Sequence, residues 1–203
     1  MPVGRGYSLD LMITPEQRLR LLLREQELLW EKKVFYVDFW NSGPLADGCI
    51  AAGREGGGYL YIDGNGWVMP CPYFQFSPLN ILDVYRNEGN LNTVCDQPFF
   101  EAIRKWQDQY AYARAGDEMG NLLTPCPIRD HHQTAMELIR QYQPRPLDED
   151  TETWLRDEAL HQGLAEFDER LRELMDPYWK SLYLTHKSDG SRCSKTSSRK
   201  EGL

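Results

Sequence analysis

Three cysteines in tight-turn settings constrain this chain more than any other feature of its sequence. Cys49 lies in a Gly-Cys-Ile-Ala-Ala-Gly segment, Cys71 is flanked by two prolines, and Cys126 stands in a Pro-Cys-Pro segment. A backbone rich in Gly and Pro turns can wrap closely around a metal, and thiolates are soft ligands that suit zinc and iron–sulfur clusters. We therefore expect the chain to fold around a metal site formed by these three residues, the cysteine triplet.

The bulk composition narrows the class of protein. The chain has 203 residues, of which 41% are hydrophobic and 27% charged, as is typical of a soluble globular domain with a core. The formal net charge of −8 argues against nucleic acid or an anionic membrane surface as the main partner. No apolar run approaches the roughly 20 residues that span a bilayer. We expect neither a nucleic-acid partner nor a membrane anchor.

The N-terminus and the cysteine count indicate a reducing compartment. Residues 1–10 contain no charged segment followed by an apolar stretch, so no secretory signal is visible. The chain has five cysteines, and an odd number disfavours a disulfide framework. We therefore expect a cytoplasmic protein, in which thiols stay reduced and grouped cysteines more often serve a metal or catalysis.

Local signals near the N-terminus predict a helix followed directly by a strand. Thr14 can cap a helix, Pro15 suits its first position, and Gln17 completes a capping box. Leucines at helical spacing continue the pattern to about Lys33. Residues 34–40 are β-branched and aromatic, which predicts a buried strand. A helix that leads into a buried strand is typical of an α/β layer.

A β-hairpin is predicted immediately before the second cysteine of the triplet. Two short apolar runs, 59–62 and 67–69, are separated by the turn sequence Asp-Gly-Asn-Gly, which is a strong hairpin signal. Cys71 follows the second run by two residues. The hairpin is therefore expected to hold this cysteine at the end of a rigid strand.

The second half of the chain is predicted to be mainly helical. Apolar spacing indicates a helix over about 96–110 and a short helix from near Asp130 to the residue before Pro144. A linker is expected over 144–150, and a long amphipathic helix over 151–184.

The spacing of the cysteines excludes the common small metal folds. No two of the five form a Cys-x-x-Cys pair, whereas zinc fingers, zinc ribbons and simple ferredoxins normally use such pairs. The triplet must therefore collect its members from separate loops. Cys95 precedes a helix and is expected to pack as a small apolar residue, and Cys193 is expected to be exposed in a polar tail.

Several separated motifs then match one family in their order. Cys49 is followed by the hairpin segment 58–72, which reads Gly-Tyr-Leu-Tyr-Ile-Asp-Gly-Asn-Gly-Trp-Val-Met-Pro-Cys-Pro, and later by Pro-Cys-Pro at Cys126. Together these motifs resemble the C-terminal auxiliary-cluster region of radical SAM enzymes, known as the SPASM or shortened twitch domain. The resemblance covers about residues 14–135.

The resemblance implies an α+β fold and a division of the chain. Residues 1–40 would be the terminal helix–strand unit of a partial (β/α) barrel. Residues 41–143 would be a SPASM/twitch-like iron–sulfur domain, built from a small β-hairpin and helices. Beyond the resemblance, the sequence pattern itself predicts a linker and a C-terminal amphipathic helix over 144–186 and a disordered tail over 187–203.

The same resemblance implies a cofactor and a partner. Cys49, Cys71 and Cys126 would each ligate one iron of an auxiliary [4Fe–4S] cluster that serves electron transfer or substrate positioning. The chain lacks the Cys-x-x-x-Cys-x-x-Cys motif that holds the SAM-cleaving cluster in this family. This chain alone would therefore bind no SAM and would not be active alone. Its expected partner is a SAM-cleaving barrel domain in a longer or a separate chain.

The fourth iron of such a cluster has no cysteine ligand in this chain. Candidates for that position are Asp130, His131, His132, a water molecule or a substrate atom. Each of the three residues also has a simpler role, because Asp130 can cap the following helix and the two histidines can begin it.

Two further interpretations of the triplet remain open from the sequence. In the first, the three thiols are buried without any metal, as free cysteines often are. In the second, His131 or His132 joins the triplet in a Cys3His zinc site. The protein would then be a non-enzymatic, zinc-stabilised interaction module whose C-terminal helix binds a partner.

Overall fold

The first helix begins where its sequence signals place it. In the computed structural model, which describes residues 8–35 and 48–184, a short 3-10 turn at Leu9–Leu11 precedes helix α1 at Pro15–Trp30. Thr14 Oγ1 accepts the N–H of Gln17 at 3.2 Å, and Gln17 Oε1 accepts the N–H of Thr14 at 2.8 Å. This reciprocal pair satisfies two N–H groups that the helix itself leaves without a partner. The predicted capping box is confirmed.

The strand predicted after α1 is not observed where the structure describes the chain. Val34 and Phe35 lie outside any strand and are exposed. The rest of the predicted strand, residues 36–40, lies outside the described residues.

The predicted hairpin is confirmed and forms the centre of a small sheet. Strand β1 is Tyr61–Ile62 and strand β2 is Trp67–Met69, paired antiparallel with Ile62 opposite Val68. Asp63 Oδ1 accepts the N–H groups of Asn65 and Trp67, which closes the turn. Val68 and Met69 are fully buried. Because β2 is anchored on both sides, its end presents Cys71 from a fixed position.

The remaining strands pair with one another and with the hairpin, and they include a segment that is distant in the chain. Strand β3 is Phe76–Ser77 and β4 is Leu79–Asn80, and the three-stranded sheet has the order β1-β2-β4. Strand β5, Arg145–Pro146, pairs antiparallel with β3. The segment predicted as a linker over 144–150 therefore contains a strand that is bound to the hairpin region.

Helices make up most of the rest of the described chain. The bounds are α2 at Ile81–Arg86, α3 at Leu91–Cys95, α4 at Pro98–Gln107, α5 at His132–Tyr142, α6 at Glu149–Arg156 and α7 at Glu158–Trp179. Short π-helical turns at Asp108–Tyr112 and Lys180–Leu184 follow α4 and α7, and a 3-10 turn occupies Gly116–Glu118. Small sheets and many helices together make an α+β structure.

The single helix predicted over 151–184 is in fact two helices. Asp157 has φ −84° and ψ 89°, which breaks the helical path, and its side chain accepts the N–H of Leu160 at 2.9 Å to cap α7. The predicted tail over 187–203 lies outside the described residues. Across the described ranges, none of the helices combines the length and the apolar character that crossing a bilayer requires.

Two hydrophobic cores share the last helix. The first core surrounds the hairpin and includes Val68, Phe74, Phe76, Phe99, Phe100, Ile103, Trp154, Leu160 and Leu164. The second core joins α1 to α7 and includes Leu22, Leu122, Leu123, Leu171, Met175 and Trp179. Because the early turns of α7 lie in the first core and its later turns in the second, α7 holds the two cores together.

Gly120 marks a point where the backbone touches an aromatic ring. A Cβ atom there would lie 2.5 Å from the Tyr110 ring. That ring is held by stacking on Trp106 and by hydrogen bonds from its hydroxyl to the carbonyls of Asn121 and Thr124. The ring therefore has little freedom to move away from an added methyl group.

We expect Gly120→Ala to lower the free energy of unfolding by about 1–3 kcal/mol, as overpacking usually does. Urea denaturation of the purified variant measures this change. The matched control is Gly64→Ala, because no atom lies within 4 Å of a Cβ at Gly64. Equal losses of stability in the two variants would show that the contact with Tyr110 does not explain the effect of Gly120→Ala.

Candidate metal centre

The three cysteines of the triplet come together on the first core. Cys71 is buried in that core, and Cys49 and Cys126 pack against it. Burial and Asp130, followed by Cys49 and Cys71, raise the pKa of Cys126, and burial followed by Cys49 raises the pKa of Cys71. All three also act on one phenol, because burial first and then these cysteines raise the pKa of Tyr59. Residues up to 77 positions apart in the chain thus converge.

The loop that carries Cys49 has a closely specified backbone. Gly48 has a φ of +127° and Ala52 a φ of +64°, conformations that side chains with a Cβ rarely adopt. The N–H of Ala52 donates to the carbonyl of Pro70 at 2.9 Å. Arg104 Nη1 donates to the carbonyl of Ala52 at 2.7 Å. These contacts fix the Cys49 loop beside the strand end that carries Cys71.

Cys71 stands two residues beyond β2, in a turn closed by the N–H of Phe74, which donates to the carbonyl of Cys71 at 3.2 Å. Burial raises the pKa of Cys71, and hydrogen bonding from the Tyr73 and Phe74 backbone acts against that rise. The hydroxyl of Ser77 donates to the carbonyl of Val68 at 2.7 Å and supports β2 from behind. N–H groups aimed at a sulfur stabilise its thiolate form and are a feature of metal-bound cysteines.

Cys49 has a comparable set of donors, one of which comes from a distant helix. Its sulfur accepts from the backbone of Ala51 and from Nε2 of Gln107, the latter at 3.5 Å. Gln107 is the last residue of α4 and is 1% exposed.

The third cysteine is held by a buried ion network. Arg18 Nη1 lies 2.5 Å from Asp130 Oδ1, and Arg129 contacts both oxygens of the same carboxylate at 2.7 and 2.8 Å. Asp130 Oδ2 also accepts the N–H of Cys126 at 3.1 Å. Burial would raise the pKa of Asp130, but Arg129 and Arg18 outweigh it and hold that pKa well below the usual range. The network links α1 to the Cys126 turn.

The predicted fourth ligands all have other partners in this structure. Both oxygens of Asp130 face arginines. His131 Nε2 lies 2.8 Å from the carbonyl of Thr124, and its ring contacts Trp106 and Tyr110. His132 Nε2 lies 3.0 Å from Nδ1 of His161. The assignment of Asp130, His131 or His132 as a metal ligand stays a prediction that none of these contacts supports.

The environment of the thiols determines their protonation. Burial, followed by the neighbouring Cys49, raises the pKa of Cys71 to about 12. Burial likewise raises the pKa of Cys49 and of Cys126, whose nearby Asp130 adds to the effect. Without a metal, all three are neutral thiols at physiological pH. Metal binding must therefore release their protons, which couples binding to pH.

The spacing of the donors distinguishes two kinds of metal site. Within residues 8–35 and 48–184, no group of three or more His, Cys, Asp or Glu side chains is placed to hold a metal ion. Each cysteine that binds a tetrahedral zinc ion places its sulfur about 2.3 Å from that ion, so the sulfur atoms of the ligands lie close to one another. The cysteines of a [4Fe–4S] cluster bind different irons and stand farther apart. The cysteine triplet is thus not arranged as a site for a single metal ion in the described part of the chain.

Two residues of the site were missed by the sequence analysis. Gln107 lies one helical turn after Ile103 on the apolar face of α4, and Arg18 lies one turn before Leu22 on the buried face of α1. The sequence contained one signal for both residues, namely a polar side chain at a position where the helical spacing predicts burial. That signal does not indicate which groups Gln107 and Arg18 contact.

A second group of buried titratable side chains lies on the far side of α5. The N–H of His132 donates to Asp168 Oδ2 at 2.5 Å, and the His132 and His161 rings stack with their centroids 5.0 Å apart. Trp154 packs edge-on against both rings. Burial raises the pKa of Asp168 to about 7 and lowers the pKa of His132 to about 4. This group joins α5, α6 and α7.

We expect Asp168→Asn to change how stability depends on pH. A carboxyl whose pKa is raised on folding contributes less stability as pH increases from about 4 to about 7. Removing it should therefore increase the stability of the variant relative to wild type by up to about 1.4 kcal/mol per pH unit across that range. Urea denaturation of both proteins at several pH values measures the difference. Because His132 titrates in both proteins, its contribution cancels in the comparison. A difference in the free energy of unfolding that does not change with pH would contradict the prediction.

Comparison with known proteins finds no relative of this chain. No family model, no curated protein and no solved structure matches this chain. The likeness to the auxiliary-cluster region of radical SAM enzymes therefore depends on the sequence motifs alone.

Proposed function

We propose that this protein binds one [4Fe–4S] cluster through Cys49, Cys71 and Cys126. The observation that carries the proposal is the convergence of three cysteines from three separate loops on the first core, with a side-chain N–H of Gln107 directed at the sulfur of Cys49. When bound, such a cluster supplies one-electron transfer or a Lewis-acidic iron.

Charged groups lie beside two members of the triplet. Burial and Asp130 raise the pKa of Cys49 and of Cys126, and Arg129 acts against that rise. The first core, on which the triplet packs, contains several buried aromatic side chains. Positive charge and N–H donors stabilise thiolates that a dry setting would otherwise penalise.

The open fourth position favours a role in positioning or electron transfer. Because Asp130, His131 and His132 have other partners, the fourth iron would be left to water or to a substrate atom. By its sequence motifs the chain would then be an accessory module in the cytoplasm, serving a SAM-cleaving barrel domain in a longer or separate chain. The contact between Arg18 of α1 and Asp130 provides a direct connection from the proposed barrel remnant, residues 1–40, to the site.

Anaerobic purification tests this proposal. We expect brown protein with broad absorbance near about 400 nm and iron and sulfide in equal amounts, about four of each per chain. Cys95→Ser is the matched control, because Cys95 lies beside Gly53 outside the triplet, and it should hold the same cluster. A colourless, folded protein that contains one zinc per chain would instead support the zinc-stabilised interaction module. A folded protein that takes up neither iron nor zinc would support the interpretation in which the three cysteines are thiols that bind no metal.

A further inference from the structure

The side chain of Gln107 is an unusual component of the first core. It is almost fully buried at the end of α4, on the same face as Phe100 and Ile103. Its Nε2 donates to the carbonyl of Ala51 at 3.0 Å and to the sulfur of Cys49 at 3.5 Å. Its Oε1 is buried and has no hydrogen-bond partner within the described part of the chain. A buried amide that is only partly satisfied is costly, which indicates a role beyond packing.

The orientation of this amide follows from its neighbours. A carbonyl oxygen can only accept hydrogen bonds, so the nitrogen of Gln107 must face Ala51. The second N–H of the same NH2 group is then directed at Cys49. A sulfur is a weak acceptor as a thiol and a stronger one as a thiolate, because the charge strengthens the bond. The arrangement is therefore matched to an ionised, metal-bound Cys49.

We propose that Gln107 tunes the reduction potential of the cluster through its N–H···S hydrogen bond to Cys49. The inference depends on the proposed function, because it concerns the same cluster. Reduction adds one electron, and part of the added negative charge lies on the sulfurs. A hydrogen-bond donor stabilises the more negative state more strongly, so it raises the potential. Gln107 is a positioning and tuning residue that binds no iron itself.

A purely structural role makes a different prediction. If Gln107 served only to hold the Cys49 loop through the Ala51 carbonyl, its loss would reduce stability or cluster content. The potential of the clusters that remain would not change, because no interaction that distinguishes the oxidised from the reduced state would be lost. The midpoint potential therefore separates the two roles.

The experiment compares three full-length variants, purified anaerobically, by EPR-monitored redox titration at one pH. Gln107→Met keeps the length of the side chain and removes both N–H donors. Gln107→Leu also removes both N–H donors and replaces the amide with a branched apolar side chain. The matched control is Gln109→Met, which makes the same change at an exposed position two residues along the chain. Iron and sulfide content is measured for each protein.

We expect a more negative midpoint potential in both Gln107 variants and a wild-type value in Gln109→Met. An unchanged potential in Gln107→Met with full cluster content would overturn the inference and leave the proposed function intact. If Gln107→Met holds no cluster, an unchanged potential in Gln107→Leu would overturn it equally. A wild-type protein that holds no cluster would overturn the inference and the proposed function together.

Discussion

Replacing Cys71 with serine is expected to remove most of the absorbance near about 400 nm from anaerobically purified protein, together with its iron and sulfide. Cys71 is the buried member of the triplet and follows a strand whose last two residues are buried. A serine hydroxyl is a poor ligand for the iron of such a cluster, which is held by thiolate sulfur. We expect Cys49→Ser and Cys126→Ser to act in the same direction.

The control for this series is Cys95→Ser, which removes a thiol of the same chain from a different setting. The sulfur of Cys95 lies against the backbone of Gly53, where an added Cβ would meet it at 2.9 Å. We expect this variant to retain the colour, the iron and the sulfide of wild type. Bleaching by Cys95→Ser together with full colour in Cys71→Ser would show that the ligands are assigned wrongly.

Replacing Asp130 with asparagine is expected to lower the free energy of unfolding by about 3–5 kcal/mol, the usual loss when one partner of a buried ion network is removed. The carboxylate of Asp130 is fully buried between Arg18 and Arg129. Asparagine would remove the negative charge that two buried guanidinium groups contact. It would also weaken the contact that holds the N–H of Cys126, so cluster content is expected to fall as well.

An exposed ion pair offers the comparison for Asp130. Asp83 pairs with Arg86 on α2, and both side chains are more than 60% exposed. Asp83→Asn is expected to change stability by about 0–1 kcal/mol, because water screens exposed pairs. Urea denaturation of both variants measures the contrast. A loss at Asp130 as small as that at Asp83 would mean that the buried network contributes little to folding.

The elements that the sequence predicted are those with local causes. The capping box of α1 involves residues three positions apart, and the hairpin turn is closed by Asp63 within its own four residues. Helix α4 follows from a regular apolar face. In each case the signal and the structure it specifies lie in the same short segment, so a single sequence is enough.

Of the elements that it missed, one depends on a partner far along the chain, and the others give local signals that are too short or too regular to be recognised. Strand β5 exists because Arg145 and Pro146 pair with β3, and nothing within 144–150 specifies that pairing. The break at Asp157 was overlooked because the residues around it continue an amphipathic pattern. Helices α2 and α3 are only six and five residues long, too short for a periodic pattern to be read.

For the candidate site, the sequence alone determined which three cysteines are set in turns and which of them ends a rigid hairpin strand. Only the tertiary structure decided that the three converge, that Gln107 reaches Cys49 across 58 positions, and that Arg18 reaches Asp130 across 112. The physical reason is that turn chemistry acts within a few residues. The burial that brings thiols, guanidinium groups and an amide together arises only when separate segments pack into one core.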